Sequence, residues 1–173
     1  AHVEFGLTPN LGELAPARPH PAYAFASLTN LAPGTRYYYR VTVTAAGGDV
    51  SSSVYQFRTL PAAGPVTALL FGDSGSGALA QFAVAKQFRR LANDADLFVH
   101  LGDIIYPYFS YGLTDTRCLS VYRDELRSLP SFMAWGNHDL GFGIGPFEAA
   151  FRMPTNSTPA SEHLRDYTAP DFY

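Results

Sequence analysis

Three short apolar runs in the chain each end in glycine followed by an oxygen-bearing side chain. Beyond these runs lie Asp73, then Asp103 with Tyr106, and then Asn137 with His138. Apolar runs bounded by glycine are typical of buried strands, and open α/β sheets bind ligands beyond the carboxyl ends of their strands. The pattern therefore predicts that two carboxylates, a phenol, an amide and an imidazole face one crevice.

The oxygen donors in these motifs suit a hard metal cation. A carboxylate such as Asp103 could bridge two ions roughly 3.5–4 Å apart, the separation used by two-metal phosphoester hydrolases. An unperturbed tyrosine has a pKa of about 10, so ionising Tyr106 near neutral pH requires a strongly Lewis-acidic, trivalent ion. The residue types therefore predict a metal site that includes one highly charged cation.

Each motif taken alone also has a purely structural interpretation. Asp73 precedes a predicted helix and could cap it by accepting backbone N–H groups. The glycine-rich stretch 72–77 suggests a phosphate-binding loop, but no Gly-Lys-Ser/Thr follows it and the dinucleotide spacing is absent. Asn137 and His138 could be ordinary turn residues. Only the three motifs together favour a functional site.

The motifs are spaced as a repeating strand–helix unit requires. Asp103 follows Asp73 by 30 residues and Asn137 follows Asp103 by 34 residues, about the length of one βαβ step. The apolar runs and the helical periodicity between them predict strand 66–71, helix 78–92, strand 97–101, helix 116–129 and strand 132–135. This order predicts an α/β core with parallel strands and right-handed crossovers.

Residues 1–60 have the composition of an all-β segment. Strands are predicted at 2–7, 23–28, 36–44 and 54–59, separated by clusters of Pro, Gly, Asn and Ser. By the period of two, one face of the third strand carries Tyr37, Tyr39, Val41 and Val43. Residues 61–65 form a linker to the part that carries the motifs.

Composition and charge narrow the possible function classes. The chain has 173 residues, a formal net charge of −3 and a sequence pI near 5.9, without the basic patch that indicates nucleic-acid binding. No apolar run approaches the roughly 20 residues of a membrane-spanning helix. The single cysteine, Cys118, excludes an internal disulfide and a cysteine-based zinc cluster, and its place in the second predicted helix favours burial.

The three motifs resemble the first three signature blocks of the purple acid phosphatases, a branch of the calcineurin-like metallophosphoesterase superfamily. The matching blocks are Gly72-Asp73-x-Gly75, Gly102-Asp103-x-x-Tyr106 and Gly136-Asn137-His138-Asp139. The tyrosine of the second block marks this branch. The resemblance covers residues 66–139, and it implies that 66–173 is the N-terminal part of a metallophosphoesterase catalytic domain with an α/β core.

The resemblance also implies a dinuclear metal centre and a ligand role for four of the motif residues. Asp73 and Tyr106 would bind Fe(III), and Asp103 would bridge the two ions. Asn137 would bind the second ion, a divalent metal such as Zn, Mn or Fe.

Two further residues and the reaction follow from the same resemblance. His138 would be the catalytic residue that assists the substrate phosphate or its leaving group, and Asp139 would lie behind it and orient the imidazole. The implied function is hydrolysis of phosphate monoesters by a secreted or periplasmic enzyme. A phosphodiesterase or nucleotide hydrolase of the same superfamily remains an alternative, as does a non-catalytic binding module with a hydrolase-like remnant.

The stretch 31–37 resembles the entry to a late strand of fibronectin type III domains, in which a tyrosine hydrogen-bonds back across the corner of the sandwich. Such a sandwich has about seven strands. Because four are predicted, residues 1–60 would form a partial fibronectin type III-like domain whose first strands precede Ala1. An incidental four-stranded β-cap is the alternative.

The chain departs from the phosphatase family at its end. The last two signature blocks of that family, Val-x-x-His and Gly-His-x-His, supply the remaining histidine ligands, and neither occurs here. His163, the only histidine after His138, matches neither block. We therefore expect a fragment of a larger enzyme that is a poor catalyst on its own, with a long loop over residues 152–170.

Overall fold

The computed structural model describes residues 1–20, 23–143 and 145–152. In this part of the chain the strands form two separate sheets. The first sheet is antiparallel and contains β1 (His2–Gly6), β2 (Glu13–Pro19), β3 (Ala24–Ala26), β4 (Arg36–Ala45), β5 (Gly48–Ser51) and β6 (Tyr55–Arg58). The second sheet is parallel and contains β7 (Ala68–Phe71), β8 (Leu97–His100) and β9 (Ser131–Met133).

The first sheet has the strand order β3-β2-β1-β4-β5, and β6 pairs with the N-terminal half of β4. Strands β1, β3, β4 and β6 confirm the four strands predicted from the sequence. Strands β2 and β5 are not predicted, because β2 contains Pro16 and Pro19 and β5 is a short Gly-Asp-Val-Ser stretch. Proline and small polar residues have turn-like rather than strand-like preferences.

The residues of the face predicted along β4 differ in their exposure to solvent. Tyr37 and Tyr39 pack in the small core of this sheet. Val43, by contrast, is exposed, whereas Thr42 is buried and its hydroxyl lies 2.8 Å from that of Ser51. This face is therefore buried only near the start of β4, because the last residues of the strand pair with β5 in a hairpin whose Val50 is also exposed to solvent.

Tyr37 anchors the loop that precedes β4. Its ring is buried with Phe5 and Ala15, and it stacks on Phe57 with ring centroids 5.7 Å apart. The phenolic oxygen accepts a hydrogen bond from the backbone N–H of Ala32 at 2.9 Å. Tyr37 therefore hydrogen-bonds back to the loop that precedes its own strand.

In the second sheet, β8 lies between β7 and β9, and both pairings are parallel. The three predicted strands and their parallel order are confirmed. Helix α1 (Leu79–Leu91), which continues into a 3-10 turn over Ala92–Asp94, confirms the first predicted helix. Because the strands are parallel, the loops that carry the three motifs leave the sheet at the same edge. The buried core beside this sheet includes Phe88, Phe98, Ile104, Ile105, Tyr122 and Met133.

The second predicted helix, 116–129, is wrong as a continuous element. The structure has a helix α2 (Tyr111–Thr114), a π-helical turn (Asp115–Leu119) and a helix α3 (Arg123–Leu126). Ser120 explains the break, because both its backbone N–H and its hydroxyl bond back to Asp115, and such local side-chain bonds compete with regular helix formation. Cys118 in this turn is buried as predicted, and burial raises the pKa of its thiol to about 12.

The last element of the described chain is helix α4 (Gly145–Ala150). Its Phe147 is buried against Phe109, with ring centroids 5.7 Å apart. The loop predicted over 152–170 lies outside the described residues, apart from its first position. Among the described helices, none is both long and apolar enough to span a bilayer.

Arg127, just after α3, links this helix to the first sheet. Its backbone carbonyl accepts a hydrogen bond from the Tyr39 hydroxyl at 3.0 Å. Its guanidinium lies over the Tyr55 ring, 4.4 Å from the centroid. Burial raises the pKa of Tyr39, so its hydroxyl remains a donor over the whole physiological range.

Candidate metal centre

Asp73 and Asp103 occupy equivalent positions beyond the carboxyl ends of β7 and β8. Each directly follows a glycine, and each has a left-handed backbone conformation, with φ of 54° and 51°. Aspartate adopts this conformation more readily than most residues with a Cβ, although it is still disfavoured. The N–H group of Asp73 donates to the carbonyl of Gly102 at 3.0 Å, which joins the two loops.

Two glycines allow the motif loops to touch each other. A Cβ on Gly75 would overlap the backbone of Ile104 and Ile105, and a Cβ on Gly136 would overlap the carboxylate of Asp103. These positions require glycine because backbone and carboxylate atoms fill the space of a side chain. The close approach brings the loops that follow β7, β8 and β9 to one point.

Tyr106 joins the two aspartates. Its hydroxyl lies 2.9 Å from Oδ1 of Asp73 and 3.0 Å from Oδ2 of Asp103. Desolvation, followed by these two hydrogen bonds, raises the pKa of Tyr106, because a phenolate beside two carboxylates is electrostatically unfavourable. Three oxygen atoms thus converge on a single proton, at a position that a cation could take.

The loop after β9 reaches the same point through Asp103, which is only 7% exposed. The other oxygen of this carboxylate, Oδ1, accepts the backbone N–H of His138 at 2.9 Å. Asn137 is exposed and lies between His138 and Gly136, whose Cα faces the same carboxylate. The structure therefore places Asn137 at the same edge of the sheet, beside Asp103.

The imidazole of His138 lies against the Tyr106 ring, with ring centroids 4.5 Å apart. Its Nδ1 lies 2.7 Å from the carbonyl oxygen of Pro107. Because a carbonyl can only accept, Nδ1 carries a proton and Nε2 is the nitrogen whose protonation can change. Nε2 is therefore the atom through which His138 could accept or deliver a proton.

Asp139 does not orient the His138 imidazole, and that prediction is wrong. Its fully buried carboxylate accepts the backbone N–H groups of Ile104, Ile105 and Gly136 at 2.9–3.2 Å. Burial raises the pKa of Asp139, and these N–H groups oppose the shift. The Asp139 carboxylate therefore binds backbone N–H groups and not the imidazole. The hydrogen-bond partner of His138 Nδ1 is the carbonyl of Pro107.

The sequence gives little sign of two residues that hold the loop after β7. The guanidinium of Arg117, on the π-helical turn, donates to the carbonyls of Gly75 and Ser76. The side chain of Gln81, on α1, accepts the N–H of Gly77 at 2.7 Å. The apolar spacing through 116–129 is that of a regular helix, so no sequence signal marks Arg117, and its π-helical turn is visible only in the structure.

The donors at this edge are of mixed type. Within the ranges that the structure describes, no group of three or more His, Cys, Asp and Glu side chains is placed to hold a metal ion. The candidate set instead combines the carboxylates of Asp73 and Asp103 with a phenol and an amide, and hard cations bind such oxygen donors. His163 lies outside the described residues.

The fold and this edge define an α/β protein whose oxygen donors follow the carboxyl ends of parallel strands. The family model for calcineurin-like phosphoesterases matches residues 66–169. Because the match covers more than half of the chain, the protein belongs to the calcineurin-like phosphoesterase family.

The chain is similar to two plant purple acid phosphatases. "Probable purple acid phosphatase 20" of Arabidopsis thaliana is 28% identical over 145 residues, which cover 78% of this chain and 31% of that protein. Purple acid phosphatase PPD1 from yellow lupin (Lupinus luteus) seeds matches in structure with a TM-score of 0.71 and 21% identity, over 90% of this chain and 36% of that chain. The structural likeness supports the fold, and the chain spans about a third of the length of either relative.

Proposed function

We propose that the protein hydrolyses phosphate monoesters at a dinuclear centre of Fe(III) and a divalent metal ion (Zn, Mn or Fe). Asp73 and Tyr106 would hold Fe(III), and Asp103 would bind both ions. Asn137 would hold the divalent ion. One observation carries the proposal: the Tyr106 hydroxyl lies within 3.0 Å of an oxygen of each aspartate. The family match and the similarity to two purple acid phosphatases support it.

The charge around the Tyr106 hydroxyl favours a trivalent ion at this position. Two carboxylates and a phenolate carry three negative charges, which a trivalent cation balances and a divalent cation does not. Without a cation the three groups share one proton, and the pKa of Tyr106 is raised. A cation of high charge would lower the pKa of Tyr106 by stabilising the phenolate, as metal ions lower the pKa of bound water and thiols.

The residues around the metal position have distinct tasks in this reaction. When bound, the metal ions supply Lewis acidity toward the phosphoryl oxygens and lower the pKa of water. His138 delivers a proton from Nε2 to the oxygen of the leaving group. The Pro107 carbonyl, at 2.7 Å from Nδ1, keeps the imidazole oriented. Asp139 fixes the backbone of the loop that carries Asp103.

The rest of the proposal concerns the domains and the location of the whole protein. The remaining histidine ligands of the purple acid phosphatase pattern would lie outside this chain, which would make residues 66–173 the N-terminal part of the catalytic domain. Residues 1–60 would be a partial fibronectin type III-like domain, supported by the hydrogen bond from Ala32 to Tyr37. Secretion or a periplasmic location is proposed from the family alone.

The test is a phosphatase assay of the protein expressed from its full reading frame, loaded with iron and zinc. Asp103→Asn removes the bridging charge and should lower kcat for p-nitrophenyl phosphate by more than about 100-fold. Asp49→Asn, in the exposed β5 hairpin, makes the same chemical change away from the site and should leave kcat unaltered. Parental turnover by Asp103→Asn would overturn the assignment.

The same assay separates the alternatives. Faster turnover of bis-(p-nitrophenyl) phosphate than of the monoester would favour a phosphodiesterase. No turnover of either ester by the metal-loaded parent would favour the binding module with a hydrolase-like remnant.

A further inference from the structure

His100, the last residue of β8, contacts both of the loops that carry the two carboxylates. It is fully buried, and its ring packs edge-on against Phe71 and Phe98 at centroid distances of 5.3 and 6.0 Å. Its two nitrogens contact two different loops. Nε2 lies 2.8 Å from the hydroxyl of Ser74, and Nδ1 accepts the backbone N–H of Gly102 at 3.3 Å.

The hydrogen bonds fix the tautomer of this imidazole. A backbone N–H can only donate, so Nδ1 is the acceptor and the proton of the neutral ring lies on Nε2. The ring therefore donates to the Ser74 hydroxyl. Burial lowers the pKa of His100 to about 4, in keeping with a neutral ring.

The two partners of His100 are the immediate neighbours of the site's carboxylates. Ser74 follows Asp73, and Gly102 precedes Asp103. Both aspartates have the left-handed backbone conformation, which residues with a Cβ adopt only when surrounding contacts enforce it. Hydrogen bonds to the adjacent residues on both loops are contacts of this kind.

We propose that His100 is a positioning residue for the metal site, whose neutral imidazole ties Ser74 to Gly102 and thereby holds the carboxylates of Asp73 and Asp103 toward the Tyr106 phenol. The inference rests on the proposed function, because it assigns His100 a role toward the same metal ions. A histidine that only filled the core would contribute to stability without affecting the geometry of the two loops.

The experiment compares four variants in two measurements. The variants are Ser74→Ala, His100→Leu, the double variant of both, and His100→Gln, which can keep a donor near Nε2. The first measurement is amide hydrogen exchange of the metal-free protein at residues 73 and 102. The second is the apparent Kd for Fe(III), supplied as the nitrilotriacetate complex.

We expect Ser74→Ala and His100→Leu to speed exchange at both amides and to weaken Fe(III) binding by about 10- to 100-fold, as loss of a residue behind a ligand does. The double variant should bind no more weakly than His100→Leu, because both changes remove the same bond. His100→Gln should recover part of the affinity.

Phe98→Leu is the matched control, because it disturbs the packing against His100 and leaves both hydrogen bonds in place. It should lower stability in urea with little change in the Fe(III) Kd. Parental affinity in Ser74→Ala and His100→Leu, or an equal loss in Phe98→Leu, would overturn the inference. Absence of Fe(III) binding by the parent would overturn the proposed function instead, and the exchange rates would still decide whether His100 holds the two loops.

Discussion

The phenolic oxygen of Tyr106 lies 2.9 Å from Oδ1 of Asp73, a residue 33 positions earlier in the chain. The contact joins the loop after an edge strand to the loop after the central strand of the parallel sheet. A second carboxylate, that of Asp103, lies 3.0 Å from the same hydroxyl. The proposed metal centre is inferred from these two carboxylates, which share the hydroxyl proton of Tyr106.

Asp139→Asn should destabilise the protein by about 1–3 kcal/mol. In the parent, one oxygen of Asp139 accepts from Gly136 and Ile104, and the other from Ile104 and Ile105. An amide can replace one of these oxygens, but its NH2 group would face an N–H donor. Urea unfolding at pH 7 measures the change, with Asp49→Asn as the control. Equal midpoints for Asp139→Asn and the parent would show that these bonds contribute little.

His100 should make stability fall as the solution is acidified. Burial lowers the pKa of His100 from 6.5 to about 4, so between these values the unfolded chain binds a proton that the folded chain does not. Stability therefore rises with pH across this window and is lost toward pH 4, by about 3 kcal/mol at most.

The free energy of unfolding at pH 7 and pH 4.5 tests this dependence. Other carboxyl groups titrate in the same range, so the comparison is between the parent and His100→Gln, with His2→Gln as a second histidine control. A smaller acid-induced loss in His100→Gln than in the other two proteins is expected. The same loss in all three would exclude His100 as the cause.

Gly75→Ala should prevent folding or destabilise the protein by more than about 3 kcal/mol. The added methyl group would overlap the backbone of Ile104 and Ile105, which cannot move without displacing the adjacent Asp103. Gly47→Ala is the control, because no atom lies within 4 Å of the added group, and its effect should stay within about 0.5 kcal/mol. Thermal unfolding checks the pair, and equal Tm values would contradict the described packing of the loops.

The sequence predicts the parallel sheet well because its signals are strong and local. Apolar runs that end in glycine locate β7, β8 and β9, and the interval between motifs leaves room for one crossover each. Side chains that directly follow such strands, like Asp73 and Asp103, must then lie at one edge.

Contacts that depend on tertiary packing are not visible in the sequence. The carboxylate of Asp139 binds N–H groups of Ile104 and Ile105, 35 and 34 positions earlier, and backbone donors have no sequence signature. The second predicted helix is interrupted because Ser120 hydrogen-bonds to Asp115. The apolar spacing of this stretch is that of a regular helix, so the sequence does not show the interruption. The hydrogen bond from His100 to Ser74 likewise joins two motifs that the sequence shows only separately.

Titration of the protein with Fe(III), followed by visible absorption, tests the central proposal most directly. Phenolate-to-iron charge transfer should produce a visible band in the parent. Tyr106→Phe should abolish the band while the far-UV circular dichroism stays unchanged. Tyr108→Phe removes an exposed hydroxyl two residues away and should leave the band intact. A band that persists in Tyr106→Phe would remove Tyr106 from the ligand set and contradict the proposed centre.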